Sequence, residues 1–551
     1  MAEKTAPAPF STLPLEMKQH IFTYVWKLRD RSATRLVCRG WKNASDPIFW
    51  KKIFVSENKA QPEACDMIQK SGLLPLVRDL IIQYHVMELV RKQHEGWFLP
   101  LYTRGHLVKL HFERGVGVKL LTSMLKQHPK LQSLAMAAFP LDYIENDESP
   151  FPKLADALSH CRELTDFEQM GYNREEFVPC LNALFDLPKL RRVSLGFLYE
   201  IFLDTDDSSP SKPPGVLNVE YLQLVRPGPH GLENFAPVYQ GLYLDSLVNL
   251  GNLKVLKLID ICSGSPILEH LATSLSSLGD HGTSLKSLEV SIDYFSDDIE
   301  VSKNALEKTI TSFRGLETLI VSTGGLGPIN RSCVQHHASS LLNFCDFHQK
   351  KFDDIRYSLE DIVSILEACK NLSTLAIHLP PFDVKRPSKE HLRESSQSNL
   401  DVELRQYLET IARHKNLRAL RVLNHLCPDR KYNEFYQFDE ERDGFLDAWG
   451  LIYRDFANYV VEYLGRHESS LKLFCISPAH HCRWARCPGT DLDEHHPHYY
   501  YKCKWVGGVS DQKRMAAVPF PEARVELPNL ELMFRDLTQP DQFKTGPQAD
   551  T

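Results

Sequence analysis

LKVLKL, Leu253 to Leu258, carries leucine at the first, fourth and sixth of its positions. Its second half alternates, as a strand does when one of its faces lies on a core. The same apolar-x-x-apolar-x-apolar pattern precedes it as Val77/Leu80/Ile82, Leu107/Leu110/Phe112, Leu131/Leu134/Met136, Leu190/Val193/Leu195 and Val219/Leu222/Leu224. It follows as Leu285/Leu288/Val290, Leu316/Leu319/Val321, Leu372/Leu375/Ile377, Leu417/Leu420/Val422 and Leu471/Phe474/Ile476. Weaker copies are read at Leu164/Phe167, Leu342/Cys345/Phe347 and Leu530/Met533. Between copies the period changes to that of a helix, as in Leu268/Leu271/Leu275, Ile362/Ile365/Leu366/Cys369 and Leu404/Leu408/Ile411. A strand and a helix per unit, neither able to bury its face alone, predict an α/β chain whose units stack into a curved solenoid.

Composition sets the class. The chain has 551 residues, 43% hydrophobic and 25% charged, as folded soluble proteins do. A formal net charge of −7 argues against a dedicated nucleic-acid binder, which needs a basic surface. No apolar run reaches membrane-spanning length, and MAEKTAPAPF lacks the apolar core of a signal peptide. Thirteen scattered cysteines, mostly inside apolar patterns, suit a reducing compartment. The expected location is therefore cytoplasmic and/or nuclear, with neither membrane nor nucleic acid as a partner.

The repeat resembles the leucine-rich repeat. That family's asparagine or cysteine after the strand is mostly replaced here, by Gly115, Phe139 or Ile261 in three of the units. Polar, proline-containing stretches such as LDTDDSSPSKPPG (203–215) and the one at 380–401 read as loop insertions. Further insertions are expected at about 424–465 and 478–525. Within the first of these, Phe445, Trp449, Ile452, Phe456, Tyr459 and Tyr463 recur at helical spacing and predict a helix buried against the array. The expected solenoid covers 56–538, with disordered ends at 1–9 and 539–551.

Residues 10–55 differ. In LPLEMKQHIFTYV, Leu13-Pro14 opens a helix, and Met17, Ile21 and Val25 share one of its faces beside Phe22. After a turn expected at Arg29-Asp30-Arg31, a second helix carries Ala33, Leu36, Val37 and Trp41. DPIFWKKI closes the segment, with Asp46 placed to cap and Phe49-Trp50 pointing back. A unit this small does not bury so much apolar area alone, so the surface is an interface or a core completed by the array.

The order LPxEM, then IF, then VCRxW, then a final FW resembles the F-box. Where that family usually has a leucine-rich run, this chain has DRSATR. The resemblance implies a helical hairpin whose apolar face docks on the Skp adaptor of a cullin-based (SCF) ubiquitin ligase. It places Leu13, Pro14, Met17, Ile21, Phe22, Val37, Cys38, Trp41 and Trp50 in the adaptor-binding set, with Trp41, Phe49 and Trp50 also holding the hairpin together. It implies a substrate receptor: the adaptor and, through it, a cullin on one side, an unknown protein target on the other. Target-binding positions would then be the x residues of the strands, such as Lys257, Glu289, Ile320, Ala376 and Arg421, expected to be exposed.

The chain shows no pattern for catalysis of its own, and no cofactor is expected. Cys482, Cys487, His495, His496, His498 and Cys503 offer thiolate and imidazole ligands for zinc, but the spacing is not that of a standard finger. That segment reads instead as a surface insertion between strands. STGGLGP (322–328) follows a strand but lacks a phosphate-binding lysine, and reads as a turn. Two rivals to the receptor stand: an adaptor-bound scaffold without a ligase role, and a zinc-dependent or ligand-sensing protein built on the same array.

Overall fold

The computed structural model describes residues 13–23, 28–55, 74–82, 106–112, 118–136, 151–169, 178–196, 215–225, 244–261, 265–292, 299–323, 326–347, 356–380, 402–423, 442–476, 499–507 and 513–519. The chain divides into two compact units, whose main spans are Met1–Pro227 and Leu250–Pro540.

The first unit begins with three helices, α1 (Leu15–Thr23), α2 (Leu28–Val37) and α3 (Arg39–Phe49). Two details depart from the sequence reading. Arg29–Arg31 lies in the first turn of α2 rather than in a turn between helices, and the second helix breaks at Cys38, so Trp41 belongs to α3. The break is an extended residue, with Cys38 at φ −163° and ψ 168°, and its carbonyl accepts from Lys42 N.

Strand β1 (Lys52–Val55) follows α3 directly and pairs in parallel with β2 (Asp79–Ile82). Then β3 (Lys109–Phe112), β4 (Ser133–Met136), β5 (Asp166–Gln169), β6 (Arg192–Gly196) and β7 (Tyr221–Val225) add in chain order, all parallel. Crossover helices α4 (Val118–Gln127), α5 (Phe151–Ser159) and α6 (Val178–Phe185) lie between successive strands from β3 to β6. Register brings Leu80, Leu110, Leu134, Phe167, Val193 and Leu222 into one lateral row, fully buried. The next core row reads Ile82, Phe112, Met136, Gln169, Leu195. The weak copy at Leu164/Phe167 is thus a true one, with a glutamine in its third apolar position.

The second unit repeats the plan. Strands β8 (Val255–Ile261), β9 (Ser287–Ile292), β10 (Thr318–Ser322), β11 (Asn343–Phe347), β12 (Thr374–Ile377), β13 (Ala419–Val422) and β14 (Leu473–Ile476) are parallel neighbours in chain order. Between them run α7 (Ser265–Gly282), α8 (Ile299–Thr311), α9 (Arg331–Gln335), α10 (Leu359–Ala368), α11 (Val402–Arg413) and α12 (Arg442–Arg466). Here one copy is offset by a residue from the expected Leu342/Cys345/Phe347. Leu319 faces Phe344 and Val321 faces Asp346, so the pattern is Leu341/Phe344/Asp346, and Cys345 and Phe347 lie on the opposite face. The decoy arose because Asp346 sits in a row otherwise held by Leu258, Val290, Val321, Ile377, Val422 and Ile476.

Two hydrogen-bond devices recur. In several units the residue three before the first leucine closes a turn onto that leucine's N–H, as His128 O does for Leu131, Cys161 O for Leu164, Cys369 O for Leu372 and His414 O for Leu417. One residue after that leucine, a single carbonyl accepts from two N–H groups of the next strand. Lys51 O takes Arg78 and Asp79, and Arg418 O takes Lys472 and Leu473. Each turn therefore hands its main-chain polar groups to the next, which is how a stack of short strands keeps them satisfied. Two buried histidines, His414 and His337, serve the same end. His414 Nε2–H donates to Cys369 O (3.1 Å), and His337 Nε2–H donates to Ile310 O (2.8 Å) while its Nδ1 accepts from Leu316 N. Burial lowers His337 to about 4, so it is the neutral ring that fills this role.

Of the stretch expected as an insertion at 424–465, Arg442 onward forms α12, which occupies the crossover position between β13 and β14. From Arg454 on, where its side chains are described, the buried stripe is Phe456, Ala457, Val460, Val461 and Leu464. Of the expected face Phe456 is buried, Tyr459 and Tyr463 are half-buried, and Phe445, Trp449 and Ile452 lie outside the described side chains. Tyr463 is half-buried and its hydroxyl donates to Glu409 on α11 at 2.7 Å. Within 478–525 lie β15 (Tyr499–Gly507), antiparallel to β14, and β16 (Lys513–Pro519), antiparallel to β15. Helix α12 lies along β16: Asn458 Oδ1 accepts from Ala517 N at 3.0 Å, and a Cβ on Gly465 would stand 2.6 Å from Met515 Cβ. Covering the last strand with a helix protects a sheet edge from pairing with other chains.

Candidate functional site

The three N-terminal helices form a small core with much apolar surface left outside. Phe22 is 4% exposed and meets Trp41 edge-on, ring centroids 5.5 Å apart. Ala44, Ser45 and Asp46 on α3 are buried. Asp46 caps nothing: it accepts Arg35 Nε at 2.6 Å, and α3 continues through Pro47 to Phe49. The same guanidinium lies over the Phe49 ring (4.5 Å) and the Trp50 ring (5.1 Å). Arg35 belongs to DRSATR, the departure from the family pattern. It places a charge where it can be paired and stacked, a role an aliphatic residue would fill only by packing.

Outside this core, Met17 is 53% exposed, Val37 58% and Leu36 86%, with Leu15 and Ile21 also exposed. Pro14 and Cys38 are exposed and Leu13 is half-buried. Met17 and Ile21 stand one turn apart on α1, and Pro14 precedes them on the same side. The structure thus separates the predicted set. Pro14, Met17, Ile21, Val37 and Cys38 present side chains to solvent, Trp41 and Trp50 are half-buried, and Phe22 lies inside. Sequence reading missed Leu36, the most exposed large apolar residue among the described ones, because its helical position marked it as core. Five exposed aliphatic or thioether side chains on so short a segment are costly in water, each worth about 1.5–3 kcal/mol when fully buried.

A second surface is the strand face opposite the leucine core. In the second unit, register assembles Lys257, Glu289, Ile320, Cys345, Ala376, Arg421, Cys475 and Tyr500 into one lateral row. All five positions expected to bind a target lie in it, but they are not exposed. Ile320 and Arg421 are 4% and 1% accessible, Glu289 and Ala376 are buried, and Lys257 is half-buried. Ile320, Cys345, Phe347, Ala376 and Leu423 pack into an apolar cluster, and Lys257 Nζ pairs with Glu289 at 3.4 Å. In the first unit the equivalent row is Ile81, His111, Ala135, Glu168, Ser194 and Gln223, mostly polar.

Cys482, Cys487, His495, His496 and His498 lie outside the described residues. Cys503 stands on β15, and burial pushes its thiol up to about 12, away from the thiolate that zinc needs. Among the described residues no three His, Cys, Asp or Glu side chains gather as metal ligands, and every described cysteine is a free thiol. In STGGLGP, Gly324 and Gly325 lie outside the described residues, and Thr323 Oγ1 donates to Gly327 O across them.

Residues 10–56 match the F-box-like family, a span that takes in α1, α2, α3 and β1. No curated protein sequence matches the chain.

Proposed function

We propose that this chain is the substrate receptor of an SCF-type ubiquitin ligase. The F-box-like helices hold the Skp adaptor, which brings a cullin, and the remainder is a leucine-rich-repeat-like solenoid that holds a protein target. The observation that carries the reading is the exposed apolar set Pro14, Met17, Ile21, Leu36 and Val37, lying inside the segment that matches the F-box-like family. Transfer chemistry would belong to the other subunits, and this chain would contribute position. Because α3 runs into β1, which pairs with β2, the adaptor would be joined to the first strands without a loose linker. Tethering replaces a bimolecular encounter with one at a high effective concentration, and a stiff joint limits which target lysines can be reached. Free thiols suit action in the cytosol or nucleus.

The test is co-purification of the full chain with a Skp adaptor and a cullin, beside a Met17→Glu/Ile21→Glu/Val37→Glu variant. Both partners should come down with the native chain and be lost with the variant, whose exposed positions leave folding intact. Adaptor without cullin would favour the scaffold. Neither partner, with the chain folded, would end the ligase reading.

A further inference from the structure

In the second unit, one rim of the array carries cations that form no ion pair among the described residues. Lys370 and Lys415 lie in the turns before β12 and β13, and Arg418 and Lys472 lie just before the first residues of β13 and β14. All four are exposed. Lys415 Nζ and Arg418 Nη1 reach only carbonyls, of Glu468 (3.5 Å) and Ser470 (3.3 Å), and none of the four forms an ion pair among the described residues. By contrast Lys286, on an earlier turn of the same rim, is paired with Glu317 at 3.4 Å. Cations near a helix C-terminus complement its dipole, which accounts for Lys370 and Lys415. It does not account for Arg418 and Lys472, which introduce strands, in a chain of net charge −7.

The main chain beneath these cations is held in a ladder. Asn371 Nδ2 donates to Ser339 O (2.9 Å), Asn416 Nδ2 to Lys370 O (2.8 Å), and Ser470 Oγ to Lys415 O (2.7 Å). Arg418 N donates to Ser373 O, and Lys472 N to Arg418 O. Neighbouring parallel strands stand about 4.8 Å apart, so three turns span about 10 Å, the reach of three or four residues of extended peptide. A fixed backbone leaves only side-chain freedom to lose on binding.

We infer that this rim docks an extended acidic segment of a partner polypeptide, through Lys370, Lys415, Arg418 and Lys472. A nucleic acid is the poorer fit: the patch is narrow, the rim is not aromatic, and Glu468 stands exposed beside it, whereas phosphate backbones want a broad basic surface. The inference does not depend on a ligase role.

The test uses the full chain and fluorescein-labelled octaglutamate, followed by anisotropy at low and physiological salt. Binding is expected, weakening as salt rises. In Lys415→Glu/Arg418→Glu/Lys472→Glu the dissociation constant should rise at least about tenfold, with the matching Gln variant intermediate. A charge-matched control, Lys51→Glu/Lys130→Glu/Arg162→Glu, should bind as the native chain does. Melting temperatures check that each variant is folded, and the Gln variant carries the comparison if the Glu variant is not. The inference fails if octaglutamate does not bind, or if the control loses as much as the rim variant. It also fails if an eight-residue oligothymidylate binds more tightly and is lost by the same substitutions.

Discussion

Asp346 gives the sharpest handle on how the second unit is built. It occupies a core row between Val321 and Ile377. Its Oδ2 accepts the Tyr357 hydroxyl at 2.6 Å and the Ile329 N–H at 3.1 Å, and Tyr357 O accepts from the Tyr407 hydroxyl at 2.7 Å. Desolvation pushes the carboxyl up to about 7, the two donors restraining the rise. A raised carboxyl binds its proton more tightly folded than unfolded. Its contribution is therefore full below about pH 4, falls as pH rises towards 7, and stays lost above that. At about 1.4 kcal/mol per pH unit, the full swing is on the order of 4 kcal/mol. Asp346→Asn keeps an acceptor for Tyr357 and removes the titration. The assay is thermal unfolding of native and variant chains from pH 4 to 8, read as the difference between the two so that titrations common to both cancel. The variant should gain on the native chain as pH rises through 5 to 7, then hold its lead. A difference independent of pH would refute the reasoning, because the carboxyl would then be titrating as it does in water.

Two further outcomes follow from single contacts. Gln169 is fully buried in a core row, and neither its Oε1 nor its Nε2 meets a partner among the described residues. Gln169→Leu should therefore raise the stability of the first unit by about 1–3 kcal/mol, seen as a higher urea midpoint, and a loss would show the amide to be satisfied in solution. Gly465→Ala should cost about 1–3 kcal/mol and open α12 from β16, because the new methyl would meet Met515 Cβ at 2.6 Å. Hydrogen exchange at Met515 and Ala517 measures this directly, and unchanged protection would sink the close-approach argument.

Most of the strand positions were legible because a leucine row tolerates little else: the x-x-apolar-x-apolar spacing is the shadow of one buried face. The two imperfect copies show where legibility ends. Gln169 made a true copy look weak, and Asp346 made a false register look better than the real one, since Cys345 and Phe347 are apolar for a different neighbourhood. The strand face failed for a related reason. Alternation says that Lys257, Glu289, Ile320, Ala376 and Arg421 turn away from the leucines, but not whether that side is covered. In the N-terminal segment the apolar residues were plain and their partition was not. Phe22 and Leu36 look alike in sequence, yet one fills the core with Trp41 and the other points outward. Arg35, reaching from α2 to Asp46, Phe49 and Trp50, carries no signal that spacing could reveal.

The double acceptance by each strand-start carbonyl has a bearing on how the polypeptide comes into being. Within either unit, a parallel strand needs for its ladder only the strand made just before it, so a nascent chain emerging from the ribosome can lay down one turn after another without waiting for distant sequence. The seed of the first unit is β1, already oriented by the helices that precede it. The finish of the second reverses the usual order. Its protecting helix, α12, is synthesised before β15 and β16, and the last two strands arrive to find their outer boundary in place.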